Sequence, residues 1–242
     1  MKSIVFCGVR GGTGTTSTMA AVGLALHALD EKVLMIDLAP SNLLSLHFGG
    51  SPSATQGWAR ALVDGRPWQE AAAELQPGLH MLPFGLLSPT ERLRAPQLPR
   101  LLWQSGNSPL ASMQAEYSVV LFDLPSSEMA NSSVMLRSDL QIVTTEADPA
   151  SCALLAQLPP DKRRHYLITR YDPISRVQRD IRLLWQSRLG ASLLPQVMHR
   201  DASMVEALCS KAPVGRYRPE SLAAQDAQHI AAWCQGRLRA LE

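Results

Sequence analysis

The sequence predicts a single α/β domain over residues 1–242, with a doubly wound, mostly parallel sheet and helices on both faces. Three observations carry that expectation. A short apolar strand, Ile4 to Cys7, runs into a glycine-rich loop and then a helix. Later strands are apolar at nearly every position instead of alternating, which indicates burial on both faces. Strand and helix patterns also alternate along the chain, the arrangement that places ligands at the carboxyl ends of the strands.

Each element follows from local patterning. After the loop, Thr18 to Leu29 carries Met19, Ala20, Val22, Leu24, Ala25 and Leu26, the composition of a helix packed on a sheet. Lys32 to Asp37 is a continuous apolar strand ending in a carboxylate, which completes a strand–helix–strand unit. Between Ser51 and Ala115 proline and glycine increase, and helices at Trp58–Val63 and Pro67–Leu75 are expected over one side of the sheet, with one short strand at Leu79–Leu82. Tyr117 to Asp123 is again a buried strand with an acid at its end. Further strands are expected at Leu140–Thr145 and Tyr166–Thr169, with helices near Ala150–Leu158 and Ile174–Leu189. The last segment, Leu222 to Leu241, sets Leu222, Ile230, Trp233, Cys234, Leu238 and Leu241 along one face of a docked terminal helix.

Composition narrows the function classes. With 46% hydrophobic and 18% charged residues the chain reads as globular. No apolar run reaches the ~18 residues that cross a bilayer, so no integral membrane segment is expected. Met1-Lys2-Ser3 passes directly into the first strand without a secretory leader, which points to the cytoplasm. Twenty-three Lys and Arg against 21 Asp and Glu leave a net charge of +2, so no specific nucleic-acid partner is expected. Lys162-Arg163-Arg164-His165 and the series Arg176, Arg179 and Arg182 read as solvated helix surface. Cys7, Cys152, Cys209 and Cys234 form no close pair and read as buried free thiols, neither a zinc site nor a disulfide frame.

The chemistry concentrates in Gly8-Val9-Arg10-Gly11-Gly12-Thr13-Gly14-Thr15-Thr16-Ser17. Glycines let successive backbone N–H groups turn toward one point, and the following helix adds unpaired N–H groups and its positive dipole end, a cradle for phosphate. The phosphate-loop pattern G-x-x-x-x-G-K-[ST] fits Val9 to Thr16 at Gly14 and Thr16 but finds Val9 for the first glycine and Thr15 for the lysine. Thr16 keeps the hydroxyl that Mg2+ coordination requires, and Asp123, at the end of its strand, is placed to hold the same ion through water. Asp37 is the one candidate for a catalytic carboxylate.

GVRGGTGTTS, VLMIDLAPSNLLSLHFG and VVLFDLP together resemble the MinD/ParA family of deviant Walker A ATPases. The resemblance implies bound ATP and Mg2+, with nucleotide contacts from Val9, Arg10, Gly11, Gly12, Thr13, Gly14, Thr15, Thr16, Ser17 and Asp123, and metal contacts from Thr16 and Asp123. It implies a homodimer in which the signature lysine, at the position of Arg10, reaches the partner's phosphates. The second lysine's position is Thr15. The family's second strand-end acid is replaced by Ala39, and Thr169, followed by Arg170, stands where members often carry Asn beside adenine. QGWARALVDGRPW, MLPFGLLSP and HRDASMVEALCSKAPVGRYRPESLAA are similar to the cellulose-biosynthesis branch of this family. That likeness implies recruitment to the inner-membrane cellulose synthase complex and partners among its other subunits, including a small BcsR-like protein.

A charge-assisted hydrogen bond contributes roughly 1.5 to 3 kcal/mol, so losing one lysine should weaken nucleotide binding about ten- to hundred-fold without abolishing it. Arg10, always charged and forked, can take over part of that role. Hydrolysis needs charge stabilisation in the transition state and an oriented water. With Thr15 and Ala39 at those positions, the expectation is a protein that binds ATP and dimerises but turns it over slowly or not at all.

Overall fold

The computed structural model describes residues 1–95, 97–99, 115–129 and 132–241. Eight strands, β1 (Lys2–Gly8), β2 (Val33–Asp37), β3 (Ala73–Gln76), β4 (Leu79–Leu82), β5 (Val119–Leu124), β6 (Leu140–Thr145), β7 (Arg164–Tyr171) and β8 (Leu193–His199), form one sheet in the order β3-β4-β2-β5-β1-β6-β7-β8. Every neighbouring pair is parallel except β3 with β4. The doubly wound, mostly parallel sheet expected from the sequence is therefore present.

The continuous apolar strands are buried on both sides, as their composition requires. Ile4 and Phe6 of β1 and Leu121 of β5 belong to a core shared with Met19, Val22 and Leu26 of helix α1 (Thr15–His27). Val5, Cys7, Val120 and Phe122 belong to the opposite core, with Trp58, Phe84 and Trp185. Helix α1 packs on the sheet and against the C-terminal helix Leu222–Arg239, which explains why it is apolar nearly all round.

Several expectations need correction. Pro67–Leu75 is not a helix: a short 3-10 turn at Trp68–Ala71 gives way to β3, which pairs with β4 across Pro77-Gly78. Gly78 at φ 84° supplies the left-handed turn residue, and hairpin pairing overrides the helix preference of the Gln-Glu-Ala-Ala-Ala run. β8 carries no clear strand signal because Pro195 and Gln196 interrupt it, which a strand at the sheet edge tolerates. Arg164 and His165 are not solvated helix surface but buried residues of β7, Arg164 bonding Gln141 Oε1 and the Pro159 carbonyl. Cys209 is exposed, Cys152 half-buried, and only Cys7 and Cys234 are buried thiols. In the terminal helix, Leu222 and Leu241 are exposed, and the inward face is built largely from alanines 223, 224, 227 and 231. Residues 96 and 100–114 of the stretch expected to hold helices and loops lie outside the described residues.

Candidate functional site

β1 lies between β5 and β6, at the point where the chain's winding reverses, so the loop after Gly8 opens between the ends of two neighbouring strands. A Cβ on Gly8 would stand 2.5 Å from Thr13 Oγ1 and 2.6 Å from the Arg10 carbonyl. The loop thus folds back onto the end of β1, and the close approach is met at Gly8, beside the pattern position that Val9 occupies. Val9 donates its N–H to the Thr144 carbonyl (2.9 Å). Gly12 and Gly14 adopt left-handed φ of 86° and 76°. Gly14 is the N-cap of α1 and brings no capping side chain, so among the described residues the first-turn N–H groups of this 13-residue helix have no side-chain cap.

The threonines do different work. Thr13, Thr15 and Thr144 hydroxyls form a triangle with sides of 2.6, 3.0 and 3.3 Å. Thr15, in the lysine's position, therefore turns its hydroxyl toward the end of β6. Thr169 is buried and donates to the Thr13 carbonyl (2.8 Å), bracing the loop from β7. The Thr16 hydroxyl lies beside the Asp123 carboxylate and favours its charged form. Ser17 Oγ lies 3.3 Å from Nε2 of the buried His47.

Two carboxylates meet behind the loop. Asp37 and Asp123 are register partners at the ends of β2 and β5, and both are buried. Burial pushes the Asp123 carboxyl up to about 6, against the lowering effect of the neighbouring Thr16 hydroxyl. Asp37 is held well above the usual carboxylate range, by burial first and then by the Asp123 charge; the N–H groups of Ala39 and Leu44 pull the other way. Those two donors occupy both Asp37 oxygens, so Asp37 braces the turn after β2, and the Trp58 indole N–H bonds its carbonyl (2.7 Å). Asp123 Oδ2, by contrast, is buried without any partner among the described residues. A buried orphan carboxylate oxygen beside a hydroxyl, at the mouth of an uncapped helix, fits a divalent cation carrying a phosphate. Among the described residues no group of three or more His, Cys, Asp or Glu makes a metal cage. A cation here would draw its remaining ligands from water and phosphate.

Arg10 points away from this pair. Its guanidinium meets Asp148 Oδ2 at 2.8 Å and Glu146 Oε2 at 3.3 Å, and Arg170, with left-handed φ of 50°, meets Glu146 Oε1 at 3.2 Å. Beyond Gly14 and Ser17 a cleft of about 830 Å3 opens, walled by Thr169, Arg170, Met198, Arg200 and Met204. Its size suits the base and sugar of a nucleotide. Sequence reasoning missed Thr144, Glu146, Asp148 and His47. Asp148-Pro149 carried a readable signal, a helix N-cap followed by proline, and its Oδ1 does accept the Ser151 N–H (2.7 Å).

The model of the cellulose biosynthesis protein BcsQ family matches residues 1–235. The chain belongs to the BcsQ family. It is 40% identical over 237 residues to the cellulose biosynthesis protein BcsQ of Escherichia coli K12, covering 94% of this chain and 91% of that one. Among solved structures it is similar to a ParA family ATPase from Chlorobium tepidum, with a TM-score of 0.74 at 18% identity over 96% of this chain and 98% of that one. It is also similar to the septum site-determining protein MinD of Pyrococcus horikoshii complexed with Mg-ADP, with a TM-score of 0.72 at 22% identity over 95% and 94% of the two chains. The fold is thus that of the MinD and ParA ATPases, and the family is that of cellulose biosynthesis. No helix among the described residues is long and apolar enough to cross a membrane.

Proposed function

We propose that this member of the BcsQ family binds Mg-ATP on the Gly8–Ser17 loop, dimerises in that state and hydrolyses the nucleotide slowly or not at all. In that form it would assist assembly or localisation of the inner-membrane cellulose synthase complex, with partners including a BcsR-like subunit. The observation that supports this most is the buried, partnerless Asp123 Oδ2 beside Thr16, at the entrance of a helix whose first turn has no side-chain cap. MinD of P. horikoshii, which shares the fold, was crystallised with Mg-ADP.

In this reading Gly11 to Thr16 hold the phosphates, Thr16 and Asp123 hold the ion, and the cleft beside Thr169 and Arg170 holds the base. Thr169 helps by bracing the loop, its hydroxyl being committed to the Thr13 carbonyl. The bound ion supplies charge neutralisation for the phosphates. Arg10 exchanges its bonds to Asp148 and Glu146 for phosphate oxygens, in its own subunit or across the dimer. The exchange is electrostatically feasible because Arg10 is partly solvated, where such ion pairs contribute about 1 kcal/mol or less. Slow turnover follows from two positions: Thr15 faces Thr144, and Ala39 offers no carboxylate to orient water.

Calorimetry with Mg-ATP and solution mass with and without it test the proposal. Wild type is expected to bind and to double its mass, with Thr16→Ala and Asp123→Asn weakening affinity at least about tenfold. Arg10→Ala is expected to lose the nucleotide-linked dimer. No binding heat, and no adenine nucleotide released on denaturing the purified protein, would identify a nucleotide-free scaffold instead. Rapid turnover abolished by Asp123→Ala would refute slow hydrolysis and support an active positioning switch.

A further inference from the structure

The helix Arg176–Leu189 buries one side chain fully, Trp185, and carries beside it a second apolar line whose two ends, Val177 and Leu184, are exposed. Val177, Ile181 and Leu184 follow one another at spacings of four and three, with Arg188 four residues further on. This is the spacing with which one helix seats another along a shared seam. Val177 is 56% and Leu184 40% exposed, and Ile174, just before the N-cap Ser175, is 86% exposed. Ile181 is half-buried and packs on the same core cluster as Trp185, Cys152 and Leu158, so the line runs from solvent into the edge of the core.

Charge selects the occupant. The helix carries four arginines against one acid, Asp180, whose carboxylate lies 3.7 Å from Arg176. Arg182 is taken up internally, stacked 5.0 Å above the Tyr171 ring and bonded to the Pro195 carbonyl. Arg179 bonds the Pro173 carbonyl, which keeps its charge on this surface. Arg188 falls on the apolar line itself, where a docked helix must answer it with a carboxylate. A helix lying in a lipid surface would need a broad apolar face, commonly with aromatic residues at headgroup depth. Here the apolar residues of the line are aliphatic with no aromatic among them, and the exposed Asp180, Leu183, Gln186, Ser187 and Arg188 share the outer surface.

We propose that the Val177–Ile181–Leu184–Arg188 line is a docking seam for an amphipathic helix with acidic flanks, contributed by a protein partner. The proposal stands apart from the nucleotide reading, since none of these four residues borders the glycine loop or the cleft beside it.

The test uses the full chain and a fluorescent synthetic peptide of three heptads with Leu at a and d and Glu at e and g, whose self-repulsion keeps it unpaired. Its counterpart carries Lys in place of Glu. Anisotropy is expected to show binding of the Glu peptide at least about tenfold tighter than the Lys peptide. Leu184→Glu and, independently, the more exposed Val177→Glu are expected to weaken it at least about tenfold, while Leu183→Glu, 65% exposed on the same helix but off the line, leaves it unchanged. Circular dichroism melts establish that each variant is folded. Failure of the Glu peptide to bind, equal binding of both peptides, or indifference to both seam variants overturns the proposal. So does flotation of the protein with phosphatidylglycerol vesicles that Leu184→Glu abolishes, which would assign the seam to lipid. A seam variant that lowers the protein's own solution mass would assign it to a second copy of the chain.

Discussion

Lowering the pH from about 7.5 to about 5 is expected to weaken the fold through one imidazole. His47 is 4% exposed and contacts the first turn of α1 through Ser17. Burial pushes it down from its ordinary 6.5 to about 4, so the folded protein holds it neutral. In the unfolded chain it gains a proton near 6.5, and in the folded protein only near 4. The stabilisation is therefore fully present above 6.5 and is lost as the pH falls toward 4. Between about pH 7.5 and about pH 5 the loss works out at about 2 kcal/mol, from a factor of roughly thirty in the unfolded state's extra protonation. Other groups titrate in the same window, so the measurement is a difference of differences. Urea unfolding of wild type and His47→Gln is compared at both pH values. The wild-type midpoint is expected to fall by roughly 1 M more than that of the variant, taking about 2 kcal/mol per molar as the urea slope. The substitution itself also costs packing, but that cost is the same at both pH values. Parallel pH dependence in the two proteins would show that the imidazole beside Ser17 is not held neutral by its burial.

Gly8→Ala forces a Cβ into Thr13 Oγ1 and the Arg10 carbonyl, so the loop must shift. The expected destabilisation is about 1–3 kcal/mol, seen as a drop of several degrees in melting temperature. An unchanged melt would mean that the loop does not fold back on β1 as described. Trp58→Phe removes the indole N–H bonded to the Asp37 carbonyl and leaves space beside Phe84 in a fully buried site. A loss of about 2–4 kcal/mol is expected in urea unfolding, and a change below about 0.5 kcal/mol would show that the Trp58 bond to the Asp37 carbonyl and its packing on Phe84 add nothing to the end of β2.

The fold was legible where composition has one physical meaning. Ile4–Cys7, Val33–Asp37 and Val119–Asp123 are apolar at nearly every position, which in a folded chain of this length requires a sheet covered on both faces. Glycines at 8, 11, 12 and 14 before a helical run similarly announce a tight strand-to-helix turn. β3 was hidden because its residues favour helix, and the Pro77-Gly78 hairpin that overrides them acts through pairing with β4. β8 was hidden because Pro195 breaks a pattern that only an edge position permits. At the candidate site, Thr16 and Asp123 could be paired from spacing and strand context, whereas Glu146, Asp148 and His47 could not, because each is remote in sequence from the group it touches.

Residue order alone determined that Gly14 and Thr16 stand at a helix entrance and that Asp37 and Asp123 lie at the carboxyl ends of two apolar strands, since backbone sterics and hydrophobic burial act locally and repeat along the chain. Which side chains face which was decided by the winding of the sheet. It sets β5 and β6 on either side of β1, turns Thr15 onto Thr144 where a lysine would have reached outward, gives Arg10 two carboxylates from beyond β6, and leaves Asp123 Oδ2 alone. Those pairings join residues more than a hundred positions apart, and a hydrogen bond or ion pair acts only over a few ångströms, so nothing in the linear order specifies them.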